Sequence, residues 1–594
     1  MCGIIGYTGD RDAQPLLLSG LGALEYRGYD SAGLALQRED ELQTVHAVGN
    51  LAALRERVPS AVGVAERPAV AGIGHTRWAT HGRVTEANAH PHADTSGRLQ
   101  VVVNGIVENH ADLRRDLEAG GCVFTSETDA EVVAQLLGAL YDGDLAEAAR
   151  AAYPQLEGQF AFVAAVADEP GTLVAVRRAA PLVVGLGEGE QFIASAVSAF
   201  AEQTQQVVYL DDGEVAALRP DGLELDGAPY TGPVDEIEPG LEAADRAGYG
   251  SFMAKEIAEQ GAAVARTLET VRLDTLPRDV TGVRILACGT SYHAGLVARY
   301  AIERWAGVPV NVEVASEFRY REPVARPGGL TLAISQSGET ADTLAAMRLA
   351  REAGETVVAI TNVETSQAAR EADGVLLTGA GTEIGVAATK TFAAQLTALY
   401  MVGLALARRL DAGTRARLAD DLRAMPAHLD ATVARSEALA RDLGVRFADA
   451  ELFMFLGRDV GSAVAQEGAL KLKEITYRPA DAHAAGEMKH GPIALIGHGT
   501  PVLVDATTGP LREKLASNVE EVAARGAHVI AVCADGDERL DGLAADVFRV
   551  PRVDWLLAPL LSVVPWQLIA LELAQARGLN VDQPRNLAKT VTVE

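Results

Sequence analysis

Cys2, directly behind Met1, is the first residue of this 594-residue chain able to do covalent chemistry. A residue as small as cysteine in that place permits removal of the methionine, which would leave a thiol and a free α-amine on one residue. The amine, with a pKa of about 7.7–8, can accept the proton of a thiol whose pKa is about 8.5. That pairing makes a nucleophile and its general base without a histidine. The plainer reading is a small apolar residue opening a buried strand, so the partners available to the thiol decide between them.

The first third of the chain supplies such partners. The run from His75 to Gly82 packs Arg77, Trp78 and His81 into eight residues. The planar fork of Arg77 suits a carboxylate, and Trp78 can cover a small ligand; a loop arginine paired with a local acid is the alternative. His90-Pro91-His92 follows, but without accompanying cysteine or acidic ligands the histidines do not read as a metal site. Asn104-Gly105 lies between Val101-Val102-Val103 and Ile106-Val107. It reads as a hairpin turn, as an oxyanion hole made by an amide and a backbone N–H, or as both. Ser126-Glu127-Thr128-Asp129 reads as a helix start capped by Ser126 or Thr128, and Asp129 can also hold an ammonium group. Together these groups are those needed to hydrolyse a free amino-acid amide.

A second set lies in the rest of the chain. Ser335-Gln336-Ser337-Gly338-Glu339-Thr340 stands between an apolar run and a helical pattern. Its hydroxyls, its amide and the N–H groups of a helix start can hold a phosphate without net positive charge, or they only cap the helix. Cys288-Gly289-Thr290-Ser291 opens the preceding unit in the same way. Glu467, Lys471 and Glu474 fall at i, i+4 and i+7, on one helix face, which is either chemical or a solvated salt-bridge face. His490 sits in a loop framed by Gly486, Gly491 and Pro492, and the end of the chain, with Lys589, has a more specific look than termini that fray.

The elements that must position these groups follow from pattern. Length predicts about three to five domains. The net charge of −29 excludes general nucleic-acid binding and attraction to an anionic membrane. The four cysteines form no CxxC pair, which predicts a reducing cytoplasm and no zinc site. Uncharged apolar runs at 391–407 and 555–570 are short of a comfortable membrane span, and no signal peptide is visible, so a soluble, cytoplasmic protein is expected. Short Val/Ile runs dominate up to about residue 230, with helices expected over 13–24 and 129–140, which predicts layered sheets with helices outside. Residues 226–250 read as a linker. Beyond it the grammar is strand, Gly-rich turn, helix, the pattern of parallel βαβ units. After a long helical stretch over 408–443 that grammar restarts at Leu452, which predicts an internally duplicated α/β domain.

The motifs around Cys2, Tyr26–Gly33, His75–Gly82, Asn88–His92, Asn104–Asn109 and Ser126–Asp129 resemble the class II glutamine amidotransferase domain. Those after residue 240 resemble two sugar isomerase (SIS) domains, so the whole chain is similar to the family of isomerising glutamine–fructose-6-phosphate aminotransferases. The resemblance implies an α/β multidomain protein: an N-terminal-nucleophile αββα sandwich over 1–240, then two doubly wound, flavodoxin-like parallel-sheet SIS domains over 241–425 and 426–594. It implies that Cys2 attacks glutamine, that Arg77, Trp78, His81 and Asp129 bind it, and that Asn104 and Gly105 stabilise the oxyanion. Thr290, Ser291, Ser335, Gln336, Ser337 and Thr340 would bind sugar phosphate, supported by Glu467 and Lys471. Lys589 would form a Schiff base with open-chain fructose 6-phosphate, Glu474 would move the proton between C1 and C2, and His490 would reach in from the other subunit of a homodimer. No metal or organic cofactor is implied. Two positions depart from the family pattern: Val103 stands where His precedes the Asn-Gly pair, and Ala388 where Ser is common. Rival readings keep the glutaminase with another acceptor, run the sugar half as a deglycase or deaminase, or make the chain a non-catalytic regulator. No ATP loop of the GxxxxGK[ST] type supports the first.

Overall fold

The computed structural model describes residues 2–39, 41–61, 68–237, 246–324, 326–507 and 509–592. The chain divides into two compact units, residues 1–243 with 590–594, and residues 244–589.

The first unit is built on two antiparallel sheets. The larger has eight strands, in the order Asp235–Glu236, Gln206–Tyr209, Val183–Leu186, Glu190–Ala194, Gly3–Gly9, Ala71–Arg77, Ser31–Arg38 and Glu41–Val48. The smaller has seven, with Leu99–Val107 between His92–Ala93 and Gly158–Val166. Strand periodicity decides which layer each side chain joins. In Gly3–Gly9, Ile4 faces the core between the sheets, whereas Ile5 and Tyr7 pack under helix Ala13–Leu24. In Leu99–Val107, Val102 joins the inter-sheet core, while Val101 and Val103 pack with helices Glu131–Leu140 and Leu145–Ala152. The layers run helix, sheet, sheet, helix, the expected αββα sandwich.

Two expectations are corrected here. Asn104-Gly105 is not a turn: Leu99–Val107 runs straight through it, paired with Gly158–Val166, and Gly105 faces Phe160. The tight turn is not needed because the strand continues for two residues beyond the pair. The supposed linker is partly folded as well. Ala228–Pro229 pairs with Gly222–Leu225, and Asp235–Glu236 closes one edge of the larger sheet; local turn residues there mark a hairpin. Residues 238–245 lie outside those described.

The second unit holds two five-stranded parallel sheets of one topology. Strand order is Val310–Val314, Val283–Ala287, Leu330–Ile334, Thr356–Thr361, Gly374–Leu377 in the first, and Ala480–Ala484, Phe453–Gly457, Pro501–Ala506, His528–Ala534, Asp546–Val550 in the second. In each, the chain winds outward from the second strand in both directions, as the duplicated grammar predicts. A single core joins them, with Ile285, Phe392, Phe455 and Trp566 in one cluster. Helix Ala412–Arg446 runs unbroken across the boundary expected at 425–426, with Pro426 inside it. Its buried Leu422, Met425 and Leu429 recur at helical spacing, so the strip continues across that point. Of the apolar runs, 391–407 forms helix Lys390–Ala405. Helix Pro559–Ala576 is long and apolar enough to cross a membrane, but 83% of it is buried inside the protein.

Candidate active site

In the first unit the thiol lies against Trp78 and feels the charges of Arg77 and Asp129. The Sγ of Cys2 accepts a hydrogen bond from Trp78 N–H at 3.2 Å and lies 3.5 Å from Trp78 O. Burial pushes the thiol pKa up, the Trp78 N–H and Arg77 pull it down, and the charge of Asp129 pushes it up again, leaving it above its ordinary value. As it stands this sulfur is a thiol, not a thiolate, and needs a base. Arg77 is buried and donates to the carbonyls of His81, Gly82 and Arg83. It thereby shapes the loop that carries His81, whose Nδ1 lies 3.6 Å from Asp129 Oδ1. Asp129 is buried and accepts Val107 N–H at 2.9 Å. The helix that follows begins at Glu131, where Thr128 Oγ1 accepts Glu131 N–H at 3.4 Å and Glu131 reaches back to the N–H groups of Thr125 and Ser126.

Gly105 explains why glycine stands beside Asn104. Its φ is +101°, and a Cβ there would lie 2.1 Å from Gln159 O and 2.6 Å from Phe160 Cα. Any larger residue would clash with that neighbouring strand, and only glycine takes this φ without strain. Asn104 is buried, and its Oδ1 lies 3.2 Å from His75 Nε2, which is also 3.0 Å from Val103 O. The His75 and His90 rings lie tilted against each other at 4.1 Å between centroids, and His90 meets His92 edge to face at 4.4 Å. Burial drives His75 and His92 down to about 3 and His90 well below its ordinary value, so all three are neutral. Among the described residues no group of three or more His, Cys, Asp or Glu is placed to hold a metal ion.

In the second unit the expected residues fall into three groups. Ser335 Oγ lies 2.8 Å from Thr340 Oγ1 and 3.5 Å from Ser337 Oγ, and it accepts Gly338 N–H at 3.0 Å. The loop closes through Gln336 O, which accepts Asn362 N–H, and Thr340 caps helix Ala341–Glu352 without a side-chain cap bond. Ser291 lies in the first turn of helix Gly289–Ala306, half-buried.

The second group is the face of helix Val460–Thr476. Glu467 and Lys471 are wholly buried, so this is not a solvated salt-bridge face. Lys471 Nζ lies 2.7 Å from Glu474 Oε2 and 3.5 Å from Glu467 Oε1. Thr290 is drawn into it, donating to Glu467 at 3.0 Å and accepting from Lys471 at 3.0 Å. His293 Nδ1 reaches Glu467 Oε2 at 2.7 Å. Burial works against the Lys471 ammonium, but Glu474 and Glu467 hold its pKa above the ordinary lysine value. Burial likewise raises Glu474, although Lys471 opposes it.

Lys589 makes the third. Its side chain is buried, paired with Glu383 and donating to Gly385 O at 2.8 Å. The charge of Lys589 also acts on Glu474, which connects the second and third groups. His490 is exposed and makes no hydrogen bond or ion pair among the described residues.

Comparison with known proteins now adds to this geometry. A glutamine amidotransferase domain model matches residues 36–244, and a SIS domain model matches residues 281–405 and 447–577. The chain is 48% identical to the isomerising glutamine–fructose-6-phosphate aminotransferase of Mycolicibacterium paratuberculosis, with both chains covered in full. It is 47% identical to that of Thermus thermophilus, again with both covered in full. Among solved structures, the C-terminal domain of glucosamine-fructose-6-phosphate aminotransferase from Francisella tularensis covers 58% of this chain and all of its own, at 37% identity and a TM-score of 0.55. The chain belongs to the isomerising glutamine–fructose-6-phosphate aminotransferases.

Within this aminotransferase family frame, sequence reasoning left four groups unassigned. His75 was weighed only as one of the histidines that do not read as a metal site, and His293 not at all, because a histidine's role depends on which ring nitrogen meets which partner. Glu383 stands in a stretch read only for its Ala388, and Glu256 in one that no pattern singled out. Of the departures, Val103 is a core residue whose carbonyl serves His75, and Ala388 sits half-buried in the loop held by Glu383 and Glu256.

Proposed function

We propose that the chain takes nitrogen from glutamine at Cys2 and places it on fructose 6-phosphate, giving glutamate and glucosamine 6-phosphate, the entry to amino-sugar synthesis in the cytoplasm. With Met1 removed, the α-amine of Cys2 accepts the thiol proton and Sγ attacks the amide carbon. Asn104 Nδ2 and the Gly105 N–H receive the oxyanion, Arg77 shapes and charges the carboxylate pocket, and Asp129 and His81 take the ammonium end, under Trp78. Ammonia leaves, and water releases glutamate from the thioester. In the second unit the Ser335–Thr340 loop, with Gln336, Ser337, Thr290 and Ser291, holds the sugar phosphate at two helix starts. Lys589 condenses with the C2 ketone, ammonia displaces the lysine, and Glu474 carries the proton from C1 to C2. The protein acts as a homodimer, with the partner subunit's His490 assisting ring opening.

The observation that carries this reading is a lysine buried against a carboxylate, close enough to Glu474 for their charges to interact. A buried lysine held in place by a fixed partner is positioned for carbonyl attack. The test is a coupled assay of wild type and Cys2→Ala. The variant should lose glutamine-dependent synthesis and keep ammonia-dependent synthesis; full glutamine use by Cys2→Ala would sink the assignment of the thiol.

A further inference from the structure

We propose that Glu383 is a catalytic residue: the fixed counter-ion that carries the positive charge of Lys589 from ammonium to iminium. The inference rests on Lys589 being the Schiff-base lysine. Condensation converts R–NH3⁺ and a ketone into R–NH⁺=C and water. One proton passes from Nζ to the carbonyl oxygen as the freed lone pair forms the C–N bond; a second follows it, the oxygen leaves as water, and the positive charge that began on Nζ as ammonium is on it again as iminium. A buried site that runs this exchange needs an anion at that nitrogen before and after it.

Glu383 is built for that role. It is buried, and its carboxylate accepts Thr389 N–H at 2.9 Å, Thr391 N–H at 3.1 Å and Thr391 Oγ1 at 2.7 Å besides pairing with Lys589. Three donors from the start of helix Lys390–Ala405 hold the anion rigid, so it does not reorganise as the lysine changes partner. Burial disfavours its charge, but Lys589 and these donors keep it ionised.

The other groups around Lys589 do not compete for the part. Glu256, on helix Phe252–Ala258, accepts the N–H groups of Ile384 and Gly385, and its Oε2 is buried with no partner. Burial and the charge of Glu383 push it up to about 7, so it holds a proton much of the time at neutral pH. Glu474, on helix Val460–Thr476, is paired with Lys471. Lys390 is taken by Glu259 at 2.8 Å. One carboxylate is left to balance one cation.

The experiment is reductive trapping of fructose 6-phosphate on the full chain with cyanoborohydride, followed by peptide mass and by pH. Wild type should trap at Lys589. In Glu383→Gln the trapped yield at neutral pH should fall at least about tenfold, and the midpoint of its decline towards alkaline pH should move down, since an iminium without its anion gives up its proton more readily and cyanoborohydride reduces only the protonated form. Glu383→Asp, which keeps the charge, should recover much of the yield, and it carries the comparison with wild type if the glutamine variant does not fold. Thr391→Val, which removes one donor to Glu383 and no charge, should leave the midpoint in place. An unmoved midpoint and yield in Glu383→Gln, or a Thr391→Val shift equal to that of Glu383→Gln, would overturn the counter-ion. No adduct on wild-type Lys589 would instead overturn the lysine assignment, and the counter-ion with it.

Discussion

Replacing His75 with leucine tests whether the oxyanion donor is held from behind. Nε2 of His75 lies within hydrogen-bond distance of Val103 O and Asn104 Oδ1. A backbone carbonyl can only accept, so the ring carries its proton on Nε2 and Asn104 is fixed with Oδ1 towards it and Nδ2 away. Burial holds the ring pKa at about 3, so the donor persists unchanged through the working range of pH. Leucine keeps an apolar body in a fully buried place but removes the donor. A neutral hydrogen bond contributes about 1–1.5 kcal/mol, which corresponds to roughly a tenfold preference for the productive amide orientation. We expect kcat for glutamine hydrolysis to fall by about tenfold, against about 10²–10³ for deleting the donor itself in Asn104→Ala. The KM for glutamine should stay close to wild type, because Arg77 and Asp129 are untouched, and ammonia-dependent synthesis should not change. Glutamate release under saturating and limiting glutamine measures both constants. A kcat within about twofold of wild type with a raised KM would refute the reasoning. So would a wild-type acidic limb near the ordinary histidine value of about 6.5 that disappears in the variant.

The same burial predicts acid sensitivity. His75, His90 and His92 are neutral in the fold at pH values where free histidines charge, so the unfolded chain binds more protons and stability falls as pH drops below about 6.5 towards 3, by up to about 4 kcal/mol per pH unit for three groups; thermal melts of the first unit across that range check it, and a flat profile would contradict it. Glu467→Ala leaves Lys471 and Thr290 short of a buried partner and should cost about 3–5 kcal/mol in denaturant unfolding while abolishing the sugar reaction. Gly338→Ala places a Cβ 2.1 Å from Ser366 Oγ at a φ of +66°, so the hydroxyl loop must shift; steady-state assays should show the KM for fructose 6-phosphate raised about tenfold or more, with a smaller change in kcat.

The layers of both units were legible because burial imposes periodicity. Short apolar runs such as Val101-Val102-Val103 and the strand–turn–helix grammar around Cys288 and Ser335 survive any detail of packing. Local chemistry was less legible wherever a residue type serves two geometries. Asn-Gly marks a hairpin in most strands, yet here the pair sits inside a continuous one, and only the positive φ of Gly105 and the backbone of Gln159 show why glycine is needed. The Glu467–Lys471–Glu474 face has the spacing of a solvated ion-pair ladder, and nothing local distinguishes that from the buried face the packing makes of it. Glu383 was invisible for a related reason: its partner is Lys589, at the far end of the chain, and a single glutamate carries no spacing to read.

The duplicated sheets do not do duplicate work, and the register says why. In the first sheet Ala287 pairs with Ile334, and the loop after Ile334 opens with Ser335. In the second, Gly457 pairs with Asp505, which places an acid at the corresponding strand end. Asp505 is buried, pushed up by that burial, and tied to the Thr507 hydroxyl at 2.9 Å, while Asp459 caps the adjacent helix at a φ of +55°. A phosphate arriving there would meet two carboxyl groups where the first sheet offers hydroxyls. The helix that starts from this second sheet is Val460–Thr476, and its buried face turns instead to Thr290 and His293 on the helix leaving the first sheet. One copy keeps the loop suited to an anion; the other supplies the carboxylates and lysine that the proposed proton transfer needs. The shared core binds the two sheets into one cluster, so losing either would expose the other's apolar face.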